Sequence, residues 1–184
     1  MAEHDPDGGL VAAMARGETW ALDDLYARHG RRLLAYLAGL LDDRQLAEEV
    51  LQDVMLAAWR GAADFRGESR VTTWLLAIAR RQALGARRHR GVAVVPLDED
   101  APKDDSGVFK RIERQASQDA VRAALGQLPA DQRETLELIF YHELSGAEAA
   151  GVLGVPEGTV KSRLSRAKTT LRRLLHLKEV GHEA

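Results

Sequence analysis

Four cations, Lys161, Arg163, Arg166 and Lys168, alternate with the hydroxyls of Thr159, Ser162 and Ser165 over residues 159–168. Guanidinium and ammonium groups pair with phosphates, and short hydroxyls or an arginine fork reach base edges. A helix carrying both on one face suits the major groove of duplex DNA. A solvated basic surface helix would show a similar pattern, so the flanking residues matter.

Those flanks supply the positioning elements. Ser145 and Glu148 read as an S-x-x-E capping box, which ties up free backbone donors at a helix start. Gly154 suits the left-handed end of that helix, and Pro156 suits the first turn of the next. Ala149, Ala150, Leu153, Val155, Val160 and Leu164 are the residues that would pack two short helices together. The stretch 145–168 therefore predicts a helix–turn–helix with its basic side outward.

Other chemistries are poorly supported. His142-Glu143 begins an H-E-x-x-H zinc pattern, but Gly146 stands where the second histidine belongs. The six histidines are scattered, which suggests surface or capping roles. There are no cysteines, which excludes disulfides and thiolate metal sites and fits a reducing compartment. Gly8-Gly9 is isolated, and no glycine loop able to cradle phosphate occurs. Asp42-Asp43 reads as a helix start and Asp104-Asp105 as solvated chain, not as catalytic dyads. No cofactor, metal site or enzymatic activity is expected.

Charge is distributed unevenly in a chain of net charge −2. Residues 61–90 carry seven arginines against two acids, and residues 151–184 carry seven lysines and arginines against three acids. Every other segment is acidic. Two basic patches on an acidic body suggest two separate contacts with a polyanion. No run of about 18 apolar residues occurs and the acidic start does not resemble a signal peptide, so the expectation is a soluble, cytoplasmic protein without membrane insertion.

Helical periodicity dominates. Leu22, Leu25, Tyr26, Leu33, Leu34, Leu37, Leu40 and Leu41 form one apolar stripe. A second helix is predicted over about 43–60 (Leu46, Val50, Leu51, Val54, Leu56, Trp59), and a third over about 70–89 (Val71, Trp74, Leu75, Ile78, Leu84). Residues 91–111 are rich in acids, with prolines and glycines, and read as a flexible acidic linker. Helices are predicted again over about 111–126 and 130–142, with Leu128-Pro129 between them. The fold class is all-α, with two small helical domains at 10–90 and 112–178. Residues 1–9 and 179–184 read as flexible ends.

Several motifs, taken in order, resemble the extracytoplasmic-function class of bacterial sigma factors within the sigma-70 family. Ala47-Glu-Glu-Val-Leu-Gln-Asp-Val-Met-Leu-Ala-Ala-Trp59 is similar to the family's AEDLVQEVFLxxW helix. Phe65-Arg-Gly-Glu-Ser69 with Thr73-Trp-Leu-Leu-Ala-Ile-Ala79 resembles its F-R-G-x-S…W-L-x-x-I-A segment. Leu125-Gly-Gln-Leu-Pro-Ala-Asp-Gln-Arg133 resembles its L-x-x-L-P-x-x-x-R opening, and Gly158-Thr-Val-Lys-Ser-Arg163 its G-T-V-K-S-R recognition helix. The match covers nearly the whole chain apart from the termini and linker.

The resemblance implies that the first domain docks on core RNA polymerase and opens the −10 promoter element, while the second reads the −35 element as duplex. It places base reading at Lys161, Ser162, Ser165 and Arg166, with Arg163 and Lys168 nearer phosphates and Thr159 beside them. Polymerase contact falls to Glu48, Glu49, Gln52, Asp53 and Met55, which share a helix surface. Single-strand capture falls to Phe65, Arg66, Ser69, Arg70, Thr72 and Thr73, with Arg80, Arg81, Arg87 and Arg88 along the backbone path. Trp74 is in phase with Leu75 and Ile78, which favours a core role over a stacking platform. Arg81 departs from the asparagine frequent there in the family. A cognate anti-sigma factor is the implied further partner, and no small-molecule substrate is implied.

Two other classes compete: a stand-alone helix–turn–helix regulator and a helical module whose basic faces bind protein. The first explains 145–168 but leaves 47–59 and 65–79 without a role, and it would need a dimer to read enough bases.

Overall fold

The computed structural model describes residues 5–90 and 120–180, with side chains through residue 175. All regular structure among them is helical. In order these are α1 (Gly8–Ala15), α2 (Trp20–Leu41), α3 (Arg44–Gly61), a 3₁₀ turn (Ala62–Asp64) and α4 (Val71–Arg90). Then come α5 over residues 120–126, α6 (Ala130–Leu136), a π turn (Glu137–Tyr141), α7 (Gly146–Leu153) and α8 (Glu157–Val180). The all-α expectation holds. The proposed acidic linker at 91–111 lies outside the described residues.

The chain divides into two compact units, one of Met1–Ala93 with Ala147–Gly154, the other of Val94–Gly146 with Val155–Ala184. Residues 147–154 thus group with the first unit although they adjoin the second in sequence.

In the first unit α2, α3 and α4 pack pairwise. Their core is built from Leu25, Leu33, Tyr36 and Leu37, from Val50, Leu51 and Val54, and from Val71, Leu75, Leu76 and Ala79, all buried. Each large apolar side chain so buried stabilises by about 1.5–3 kcal/mol. Tyr26, assigned to the apolar stripe by spacing, is instead 52% exposed. Its ring lies over Gly30, where an added Cβ would come within 3.2 Å of the ring.

The first unit begins earlier than its sequence suggests. α1 buries Leu10, Val11, Ala13 and Met14 and packs on α2 and the 3₁₀ turn. Eight residues cannot sustain an isolated helix, so tertiary contacts must hold it. Asp7 supplies part of the hold: its carboxylate accepts from Arg28 Nη1 at 2.6 Å and meets His29 Nε2 at 2.7 Å. Asp7 and His29 are both buried. Residues 5–9, read above as a loose end, are therefore built into the helical body.

Asp42 and Asp43 also separate in role. Asp42 ends α2 in the left-handed conformation (φ 54°), and only Asp43 caps α3, accepting from the backbone N of Leu46 at 3.0 Å.

The second unit rests on α6 against α8. Leu128, Leu136 and Ala167 form its buried centre, with Leu125, Leu164 and Leu171 packed around them. Arg133 explains the L-x-x-L-P-x-x-x-R spacing physically. Its guanidinium donates to the carbonyls of Leu125 (3.1 Å), Gly126 (2.9 Å) and Leu128 (3.2 Å). These carbonyls lie at or just past the end of α5, where no next turn supplies an N–H donor. The predicted helix over 130–142 is interrupted: α6 gives way to the π turn, and Glu143 follows with φ 57°.

Candidate nucleic-acid interfaces

Gly154, at φ +67°, closes α7 in the backbone region that favours glycine, and α8 begins three residues later. Val160 and Ala167 point inward and are buried, which turns the intervening polar residues outward. Lys161, Ser165, Arg166 and Lys168 are exposed, and Thr159, Ser162 and Arg163 are half-buried.

These side chains are not equally available. Arg166 is exposed and makes no ion pair among the described residues. Lys161 pairs with Glu157 one turn back (2.9 Å), an exposed contact worth little. Ser162 Oγ donates to the Thr159 carbonyl at 2.9 Å. Arg163 Nε lies 3.0 Å from Asp131 Oδ2 of α6. Lys168 Nζ sits 5.4 Å from the centroid of the Phe140 ring, a cation–π distance. Phe140 and Tyr141 are themselves largely exposed; the sequence reading passed over them because they sit where an ordinary helix was expected.

The second cluster is in the first unit. The segment 65–70 joins the 3₁₀ turn to α4, and Gly67 takes φ +69° within it. Arg66, Ser69 and Arg70 are exposed, while Phe65 and Thr72 are half-buried. Phe65 packs at a tilt on Trp74, centroids 4.9 Å apart. Trp74 is half-buried, neither wholly core nor an open platform. Thr73 is buried, and its Oγ1 donates to Glu148 at 3.0 Å; Arg70 Nε meets the same carboxylate at 2.7 Å. Glu148, read from sequence as part of a capping box, thus holds two of the candidate DNA groups.

The arginines of α4 fall on two lines. Thr73, Arg80 and Arg87 are seven residues apart, and so are Trp74, Arg81 and Arg88. Seven residues are nearly two helical turns, so the lines run side by side down the helix. A basic band therefore starts beside the Phe65–Trp74 pair.

On α3, Glu48, Glu49, Gln52 and Asp53 are exposed together, and Leu56, 44% exposed, extends their face. Its spacing predicts a core position for Leu56, which the structure does not give it. Met55 is only 6% exposed and belongs to the core, so its side chain does not join that face. Arg44 Nε reaches Glu48 at 3.2 Å, a solvent-exposed pair.

No group of three or more His, Cys, Asp or Glu side chains among the described residues could hold a metal ion. His142 is buried, with Nε2 3.8 Å from Glu137 Oε1. Among the described residues no helix is long and apolar enough to cross a membrane.

Comparison with known proteins follows the same division. Residues 25–92 match the family model for Sigma-70 region 2, and residues 118–171 match that for Sigma-70, region 4. The chain is 38% identical over 178 residues to the ECF RNA polymerase sigma factor SigM of Mycobacterium tuberculosis, covering 95% of this chain and 87% of that protein. It is 31% identical to the RNA polymerase sigma-H factor of Pseudomonas aeruginosa, covering 95% and 96%. Among solved structures it resembles CnrH in complex with the cytosolic domain of CnrY (TM-score 0.66, 28% identity, covering 93% and 97%). It also resembles the sigma factor RpoE in complex with the anti-sigma factor NepR from Bartonella quintana (TM-score 0.65, 28% identity, covering 84% and 96%).

Proposed function

The chain belongs to the extracytoplasmic-function sigma factors of the sigma-70 family, and from that premise we propose how its residues share the work of starting transcription. The protein is an alternative sigma factor: it binds core RNA polymerase and directs promoter-specific initiation through −35 and −10 elements. Within that activity α8 takes the −35 element as duplex. Arg166, Lys161, Ser162 and Ser165 face the bases, and Arg163, Lys168 and Thr159 stand toward the backbone.

The −10 element is held as a single strand by Phe65, Arg66, Ser69, Arg70, Thr72 and Thr73. Arg80, Arg81, Arg87 and Arg88 steer the phosphates along α4. Unpaired bases bind such sites through stacking and charge, so binding itself drives the strands apart and no bond-making residue is required. Glu48, Glu49, Gln52 and Asp53 form an acidic face for a basic surface of the polymerase. An anti-sigma protein is the expected regulator, as the complex of RpoE with the anti-sigma factor NepR suggests. The protein works in the cytoplasm, where polymerase and promoter meet.

One observation carries this reading: both sigma-70 regions occur in one chain, in order, and each supplies its own cationic helix. A stand-alone regulator is not favoured, because the likeness to SigM spans 95% of the chain and so includes the first unit. Run-off transcription with core polymerase on genomic fragments is the test. Defined start sites that depend on the added protein are expected; absence of any would overturn the assignment.

A further inference from the structure

Helix α4 starts without a cap of its own. The Arg70 carbonyl accepts the first intrahelical bond, from Trp74 N at 3.0 Å, which makes Arg70 the capping position. Arginine has no acceptor there, and the first N–H groups of a helix need one. Val71, the first residue of α4, is fully buried, so water cannot serve its N–H.

The acceptor comes from the other end of the unit. The Asp5 carboxylate accepts from Val71 N through Oδ2, across 66 positions of sequence. Its Oδ1 accepts from the backbone N of Asp7 at 2.9 Å. The Asp5 carbonyl accepts from Gly8 N at 3.0 Å, which joins it to the start of α1. Asp7 in turn is fixed to Arg28 and His29 of α2. The acid at position 5 is therefore anchored on both sides.

The same N-terminal segment also holds the opposite flank of 65–70. α1 packs on the 3₁₀ turn Ala62–Asp64, and Phe65 N donates to the Ala62 carbonyl at 3.3 Å. Between these supports Arg66 and Glu68 form a long pair (3.9 Å) between highly exposed side chains, and at the α4 end Arg70 is held by Glu148 (2.7 Å). The backbone at both ends of the candidate single-strand loop is thus set by residues 5–15.

We propose that Asp5 is a positioning residue for −10 capture: by capping α4 from a distance, it fixes the backbone that carries Arg70, Thr72 and Thr73, while Glu148 holds the side chains of Arg70 and Thr73. It touches no DNA itself. This inference rests on the proposed role of residues 65–73.

The test uses the full chain, tagged at its C-terminus, assembled with core polymerase. Affinity is measured for a single-stranded oligonucleotide carrying the −10 sequence of a promoter found by run-off, and for core itself. Asp5→Ala is expected to weaken oligonucleotide binding about three- to thirty-fold, the range of a lost cap, with core affinity unchanged. Asp5→Asn keeps an acceptor oxygen and is expected to restore most of the binding. Thr72→Ala is the control for the site. If Thr72→Ala weakens the oligonucleotide but Asp5→Ala does not, the inference is overturned and the site stands. If Asp5→Ala lowers core and oligonucleotide affinity together, the role is merely structural and the inference is overturned. Should neither Thr72→Ala nor Arg70→Ala matter, the site itself is misplaced and the inference goes with it.

Discussion

Arg163 of α8 is bound to Asp131 of α6, Nε to Oδ2 at 3.0 Å, and its side chain is only 22% exposed. A cation that belongs by spacing to the DNA-facing series is thus shared with the helix that supports it. Asp131→Ala releases the guanidinium toward the phosphates. Non-specific DNA affinity of the variant should rise and its salt dependence should steepen by about one counterion. A double-mutant cycle of Arg163→Ala with Asp131→Ala should give a coupling of at most about 1 kcal/mol in stability, since one partner is half in solvent. Salt titrations and denaturation curves measure the two effects separately.

Arg166 and Lys168 should behave differently although they are two residues apart. Arg166 is open to solvent and makes no ion pair among the described residues. Arg166→Ala should cost roughly 1–3 kcal/mol on the preferred −35 sequence and relax selectivity at one base pair. Lys168→Ala should weaken all sequences alike and lower the salt slope by about one. Binding of the two variants to a set of single-base −35 substitutions distinguishes these patterns.

The acidic face of α3 can be reversed without touching the core. Glu48 and Asp53 are exposed, and Glu48 has only a surface pair with Arg44. Glu48→Lys with Asp53→Lys should reduce core polymerase binding at least tenfold at low salt and leave the melting temperature within a few degrees. Polymerase pull-down and thermal unfolding, run together, check this. Unchanged pull-down would move the polymerase contact elsewhere.

Asp43 gives a pH signature. The bond from Leu46 N, and next the Arg90 guanidinium, holds its carboxyl below the ordinary aspartate range. The folded state then favours the charged form more than the unfolded state does. Its contribution is therefore present above the unfolded value and is lost as pH falls through the folded value. The stability difference between wild type and Asp43→Ala should be constant near neutrality and shrink below the ordinary aspartate range. Denaturation midpoints taken down to strongly acidic pH read it directly.

Short-range pattern made much of this legible. Leu25, Leu33, Leu37 and Leu41 are buried as a 3.6-residue period requires, and Gly154 ends α7 with the positive φ that its type suggests. What escaped depends on distant partners. α1 is almost wholly apolar, so it carries no amphipathic signal, and its anchors Asp5 and Asp7 act on residues 66 and 22 positions away. Tyr26 keeps the helical period but folds over Gly30 instead of entering the core. Met55 and Leu56 exchange expected places, because periodicity fixes a face only to within about one residue. Ser162 looks like a base reader by type, while its hydroxyl also has a backbone acceptor one turn back at Thr159.

On this proposal one chain reads duplex DNA with α8 and a separated strand with the start of α4. Photo-crosslinking tests it most directly. A crosslinking amino acid is placed at Ser165 in one sample and at Ser69 in another, each assembled with core polymerase on a mapped promoter. The Ser165 probe should label the −35 element in closed and open complexes alike. The Ser69 probe should label only one of the separated strands of the −10 element, and only after opening. Labelling of the −10 element by the Ser165 probe, or of duplex DNA by the Ser69 probe before opening, would contradict it.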